Sequence, residues 1–344
     1  MTAVRAGDGL QLFICMSTAF SAALAGSEVP ATTKAKTTMC PSTVDWGEGF
    51  PFDVVVAAFF YYSIYLLVLR RFLVYPLGNL LVYVLAPFEL KPKKNSAAAV
   101  RKARSVNEFV AGIMQLIDKG FFSYAGASLL LNQAWMWPSQ QWWIIPPRLE
   151  SALAFYLVAV VARRLLEALF AYTDRVDDNV LWTMACNAGA ACMVGAALYT
   201  GAIRIAFVVI VLNDVALPLL GLAQALSALN KECAADFARV RYALPLLTNV
   251  LYGYGAVVFF LARIAAMTYV VASASTEADA LVARFSSAAA AKPQWWLQPG
   301  CVLAVWLLYA GQWFEFTRLL RSVVARILHG APTVEDATAH VKSK

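Results

Sequence analysis

Seven long apolar segments, at about 54–75, 108–135, 150–171, 180–201, 203–226, 244–272 and 300–325, leave this chain few ways to fold. At about 1.5 Å of rise per helical residue, each is long enough to cross roughly 30 Å of hydrocarbon. In that medium every backbone N–H and C=O must find a partner within the protein, so the segments are expected to be helices packed as a bundle. Composition agrees. Of 344 residues, 61% are hydrophobic and 14% charged, with a mean hydropathy of +0.63. Soluble domains carry about a quarter charged residues, so this chain lacks the polar surface to face water. The expected fold class is an all-α membrane protein with about seven core transmembrane helices.

The second and third segments are the least pure, because they carry Asp118, Lys119, Arg163, Arg164 and Glu167. These side chains are expected to face the bundle interior or to snorkel to an interface. An earlier apolar stretch, Leu10 to Ala25, follows Arg5 and ends in Ala23-Leu24-Ala25. It reads equally as a signal peptide or a signal anchor. The domain plan is therefore 1–26 signal peptide or anchor, 27–50 a lumenal segment, 51–330 one transmembrane domain, and 331–344 a cytosolic tail.

Basic residues set the orientation. Lys91, Lys93, Lys94, Arg101, Lys102 and Arg104 follow the first core span, Lys231, Arg239 and Arg241 lie in a later loop, and Arg321, Arg326, Lys342 and Lys344 mark the carboxyl end. Trp135, Trp137, Trp142, Trp143, Trp295 and Trp296 gather on the opposite side. Basic loops stay in the cytosol, and tryptophans collect at the headgroup boundary. The net charge of +7 thus belongs to short loops, not to a nucleic-acid-binding stripe, and no nucleic-acid partner is expected. Six cysteines, at 15, 40, 186, 192, 233 and 301, form no CxxC, and only two histidines are present. No metal site is expected. Cys40 and Cys301 fall on one side of this topology, as a disulfide or as two free thiols.

The stretch Thr173 to Leu220, TDRVDDNVLWTMACNAGAACMVGAALYTGAIRIAFVVIVLNDVALPLL, resembles the core of the TLC-domain family, in particular its ceramide synthases. DVVVAAFFYYSIYLLVLRRFLVYPLGNLL (Asp53 to Leu81) resembles the family's first span with its basic exit. TNVLYGYGAVVFFLARI (Thr248 to Ile264) and GQWFEFTRLLRSVVARILHG (Gly311 to Gly330) resemble later spans. The likeness rests on the order and spacing of these segments across roughly 50–330. It implies an endoplasmic reticulum protein of sphingolipid biosynthesis, acting on a long-chain base or fatty acyl chain, with acyl-CoA as possible substrate and no cofactor.

The resemblance also implies catalytic residues, and there the chain departs. Where the family carries His-His, this chain has Cys186-Asn187; where it carries His-Asp and a further Asp, it has Asn213-Asp214 and Leu217. Histidine suits amine deprotonation because its pKa lies near 7. The two histidines present, His329 and His340, lie at and beyond the end of the last segment. Cys186 reads as a small packing residue or, alternatively, as an acyl-accepting nucleophile. Asn187 and Asn213 read as interhelical hydrogen-bonding groups. Asp214 reads as a bundle-holding vestige or as part of a lipid site with Arg204 and Arg263, pairing with Arg204, Arg263 or Lys119. Glu315 is expected to pair with Arg318 one turn on.

Three functions follow as expectations. One is a non-catalytic partner or regulatory subunit of an active ceramide synthase paralogue, retaining a lipid pocket. Another is an active sphingoid-base N-acyltransferase with a divergent site. The last is a TLC-domain protein that senses lipid or assists a translocon.

Overall fold

A computed structural model describes residues 43–45, 52–85, 97–143, 148–174, 180–200, 202–232, 238–277 and 297–329. The proposed leader, the 331–344 tail, residues 175–179, Trp295 and Trp296, and the Cys40–Cys301 pairing lie outside the described residues or side chains.

Every apolar segment is helical. Helix α1 (Phe52–Val68) passes through a π-helical stretch (Leu69–Val74) into α2 (Tyr75–Leu85), and α3 spans Ala97–Leu131. After two 3-10 turns (Ala134–Met136, Ser139–Trp143) come α4 (Ser151–Asp174), α5 (Val180–Thr200), α6 (Ile203–Asp214) and α7 (Leu217–Glu232). Helix α8 (Ala238–Phe259) runs through a second π stretch (Phe260–Ala266) into α9 (Met267–Thr276), and α10 covers Leu297–His329. Among the described residues, one small element is not helical. Strand β1 (Thr43–Asp45) pairs antiparallel with β2 (Arg148–Glu150), Thr43 opposite Glu150.

Three helical runs, Val56–Val84, Ile203–Glu232 and Tyr242–Thr276, are long and apolar enough to cross a membrane, and Thr183–Leu198 is a shorter apolar helix. Helices α3, α4 and α10 carry the charged residues noted above, which dilute their hydropathy. The described surface is strongly apolar. Phe60 and Ile64 on α1, Phe72 beside it, and Leu307 and Phe314 on α10 are 59–75% exposed. Large apolar side chains exposed in this number mark lipid as their solvent. Three hydroxyls of the run Tyr242–Thr276 are satisfied locally. Thr268, Ser275 and Thr276 each donate to the carbonyl four residues back, at 2.8–2.9 Å, so none presents an unbonded donor to hydrocarbon.

The chain forms two compact units. The first comprises 1–66, 124–211 and 270–305. In it α4 packs along α5, and Tyr156, Leu157, Val158 and Val160 of α4 are at 0% exposure, so this stretch is enclosed on more than one side. Phe207 of α6 meets the Tyr156 ring edge-on at 5.0 Å and the Trp135 ring at 6.4 Å.

The second unit comprises 67–123, 212–269 and 306–344. Its core joins Val74 and Val82 to Val106, Phe109 and Val110 of α3 and Ala225, Ala228 and Leu229 of α7. Helices α3 and α7 touch backbone to backbone. A Cβ added at Gly112 would lie 2.5 Å from the Gly221 carbonyl oxygen and 2.7 Å from the Ala225 nitrogen. Only glycine fits there, and that closeness is how helices gain van der Waals contact where lipid removes the hydrophobic drive to associate.

Candidate functional site

The run Ile203–Glu232 is broken in its middle. Helix α6 stops at Asp214, two turn residues follow, and α7 begins at Leu217. Pro218 stands one residue into α7; lacking an N–H, it cannot continue the ladder back to the carbonyl of Asp214. A break inside an apolar span leaves carbonyl groups in need of donors. Arg263 supplies them. Its Nε donates to the main-chain oxygen of Asn213 at 2.7 Å, and its Nη2 donates to the same oxygen. A cation here also meets the negative end of the α6 dipole.

The remaining valences of Arg263 are fixed. Nη1 donates to Gln312 Oε1 at 3.0 Å and to Glu315 Oε2 at 2.8 Å. The guanidinium carbon lies 4.6 Å from the centre of the Phe259 ring. Gln312 closes the loop by donating from Nε2 to Asn213 Oδ1. Asn213, Arg263 and Gln312 are all buried, at 8%, 5% and 6% exposure, and Asp214 beside them is at 0%. Arg263 sits within the π stretch Phe260–Ala266. One extra residue in that turn re-aims the side chains, a common feature of functional sites.

In the first unit Asn187 lies half-buried on α5. Its Oδ1 accepts from Arg164 Nη1 at 3.2 Å, and Arg164 Nη1 also binds Glu167 Oε2 at 3.2 Å. Arg163 is at 0% exposure, with its Nε 3.8 Å from Glu167 Oε1. Arg204, in the same unit, donates to the Gln141 carbonyl at 3.0 Å and stands 5.3 Å over the Trp135 ring. Its neighbours order the turns before α4: Trp142 Nε1 donates to the Met136 carbonyl at 2.9 Å and Trp143 Nε1 to Ser273 Oγ at 2.8 Å.

Set against the sequence reading, both asparagines do hydrogen-bond to a neighbouring helix. Lys119, at 5% exposure, and Arg163 are buried as expected of charges within spans. Leu217 is half-buried and opens α7. Two expectations are corrected. Cys186 is exposed, not packed inside; α5 is apolar on every face, so no stripe in its sequence says which side is buried. Glu315 binds Arg263, because the π stretch turns that guanidinium toward α10. Of the proposed lipid-pocket residues, Asp214 and Arg263 belong to the second unit and Arg204 to the first. Sequence reasoning missed Gln312, and it named Arg164 among the charges of its span without its partner Asn187. Gln312 carried a signal, since a glutamine three residues from Glu315 in an apolar helix shares its face.

Chemically, the Asn213 cluster is a closed hydrogen-bond ring. Its amides neither gain nor lose protons near neutrality, and a guanidinium stays protonated in proteins. Glu315, an ionisable group attached to the ring, holds Arg263.

Apolar exposed helices around hydrogen-bonded amides and arginines define an all-α integral membrane protein. The TLC-domain profile matches residues 108–321, more than half of the chain, and the chain belongs to the TLC-domain family. No curated protein matches it.

Proposed function

We propose that this TLC-domain protein is a ceramide-synthase-like protein of the endoplasmic reticulum that performs no catalysis alone. It acts in ceramide biosynthesis as a partner or regulatory subunit of an active paralogue and keeps a pocket for a long-chain base or fatty acyl chain. Its carboxyl tail faces the cytosol. One observation carries the reading. Asn187 and Asn213, which align with family histidines in the resemblance above, are amides bound to Arg164 and to the Arg263–Gln312 pair respectively. Acylating a protonated amine needs a base of pKa near the operating pH, and neither asparagine nor arginine is one.

The test is the purified full-length protein in mild detergent, given a fatty acyl-CoA and a long-chain base, together with mass spectrometry of the native preparation. The expected outcome is no amide product and recovery of a histidine-bearing TLC-domain relative. Ceramide formation by the isolated chain at rates comparable to such a relative overturns the reading. Recovery of neither a relative nor a long-chain base favours a lipid-sensing or translocon-associated role.

A second reading draws on Asp214, whose carboxyl group is fully buried. It makes the chain an active N-acyltransferase with Asp214 as base. This reading requires activity that Asp214→Asn abolishes.

A further inference from the structure

A cleft of about 510 Å³ lies between α2 and α3, away from the Asn213 ring. Its polar lining is Tyr75, Asn79, Tyr83 and Lys102, and Leu80 and Val106 form its apolar wall. The ammonium of Lys102 stands 5.6 Å from the centre of the Tyr83 ring, and the side chain is half-buried. A cation over an aromatic face is held in place without being neutralised. The neighbouring acid is spent elsewhere. Glu108 receives both Arg104, at 3.2 Å, and Lys231, and among the described residues no carboxylate pairs with Lys102. The Asn79 amide donates to the Tyr75 carbonyl at 3.1 Å, which fixes one side of the cleft. Arg71 adds a second positive charge 6.0 Å from the Tyr75 ring.

The cleft opens onto an apolar surface. Leu77, Leu80, Tyr83 and Val84 are 42–66% exposed and belong to the membrane-length run Val56–Val84. A soluble anion gains nothing from such a wall. A molecule with a negative headgroup and an acyl chain uses both parts.

We propose that this cleft binds an anionic phospholipid, its phosphate against Lys102 and the Tyr83 hydroxyl and its acyl chain along Leu80 and the exposed face of α2. The site is independent of the proposed role in ceramide synthesis, since it uses none of the residues weighed there. Lys102 is the specificity residue. It lies in the basic segment that also holds Lys91, Lys93, Lys94, Arg101 and Arg104, a sequence pattern that attracts acidic lipid at a membrane surface.

The experiment is native mass spectrometry of the full-length protein in mild detergent, with phosphatidylserine and phosphatidylcholine of matched chains added in equal amounts. The expected result is preferential retention of phosphatidylserine, lowered about fivefold by Lys102→Gln, the effect of one cation near an acidic lipid. Lys102→Arg keeps the preference, which separates loss of charge from loss of fold. Tyr83→Leu, at an exposed position, lowers retention about twofold and serves if Lys102→Gln does not fold. Equal retention of the two lipids overturns the proposal, as does indifference to Lys102→Gln in a folded protein. Displacement of the lipid by millimolar inorganic phosphate also overturns it, by making the cleft a site for soluble phosphate.

Discussion

Asn187 and Asn213 are the same residue type in two apolar helices, yet they are held differently. Asn187, half-buried, shares one guanidinium with Glu167 through Arg164. Asn213 is buried, gives up both its side-chain and main-chain oxygens, and sits where a helix breaks. The difference is in what depends on each contact. If Arg164 leaves, one amide oxygen loses a donor. If Arg263 leaves, a carbonyl freed by the break, Gln312 Oε1 and Glu315 all lose theirs. A buried acceptor without a donor costs far more than a hydrogen bond contributes when made. Asparagine in a span is thus an accessory in one place and a keystone in the other, and the backbone beside it decides which.

The largest expected effect tests this directly. Arg263→Gln should lower stability by about 2–3 kcal/mol through the orphaned Asn213 carbonyl, measured by denaturant unfolding in detergent followed by circular dichroism. Arg164→Gln should cost less than about 1 kcal/mol, as partly exposed pairs do. Equal losses at the two arginines would break the comparison.

The next contrast sharpens it through the glycines of the two units. Gly112→Ala places a methyl 2.5 Å from the Gly221 carbonyl oxygen and should destabilise by about 1–3 kcal/mol, the range for overpacking. Around Gly189 on α5 nothing lies within 4 Å of an added Cβ. Gly189→Ala should therefore be neutral or stabilising by up to about 1 kcal/mol, from helix propensity alone. The same unfolding assay reads both, and a common sign would discredit the backbone contact between α3 and α7.

The smallest effects separate the amides themselves. Gln312→Leu should cost about 1 kcal/mol, since it removes one donor to Asn213 and one acceptor from Arg263. Asn187→Leu should cost about 0.6 kcal/mol, the average for an interhelical hydrogen bond in a membrane. A larger loss at Asn187 than at Gln312 would reverse the assignment of keystone and accessory.

Much of the fold was legible because hydrophobicity is recorded one residue at a time. The seven apolar runs all appear as helices, and the burial of Lys119 and Arg163 follows from the cost of charge in hydrocarbon. The β1–β2 pair was not legible, since three-residue strands carry too little pattern. Nor was the face of α5 that leaves Cys186 exposed, because an evenly apolar helix offers no stripe to read. The partner of Glu315 was missed for a geometric reason. Counting by 3.6 residues places Arg318 beside it, whereas a π turn about 50 residues away redirects Arg263 onto it.

The sequence alone determined the solvent of this protein and the helical state of its spans, because lipid imposes backbone self-satisfaction on any apolar run of sufficient length. Tertiary structure alone decided which polar group answers which. The bonds from Arg263 and Gln312 to Asn213 join residues 50 and 99 apart in the chain. Such pairings depend on how helices pack and where one is broken or overwound, and no local pattern of residues encodes a distance between side chains so far apart.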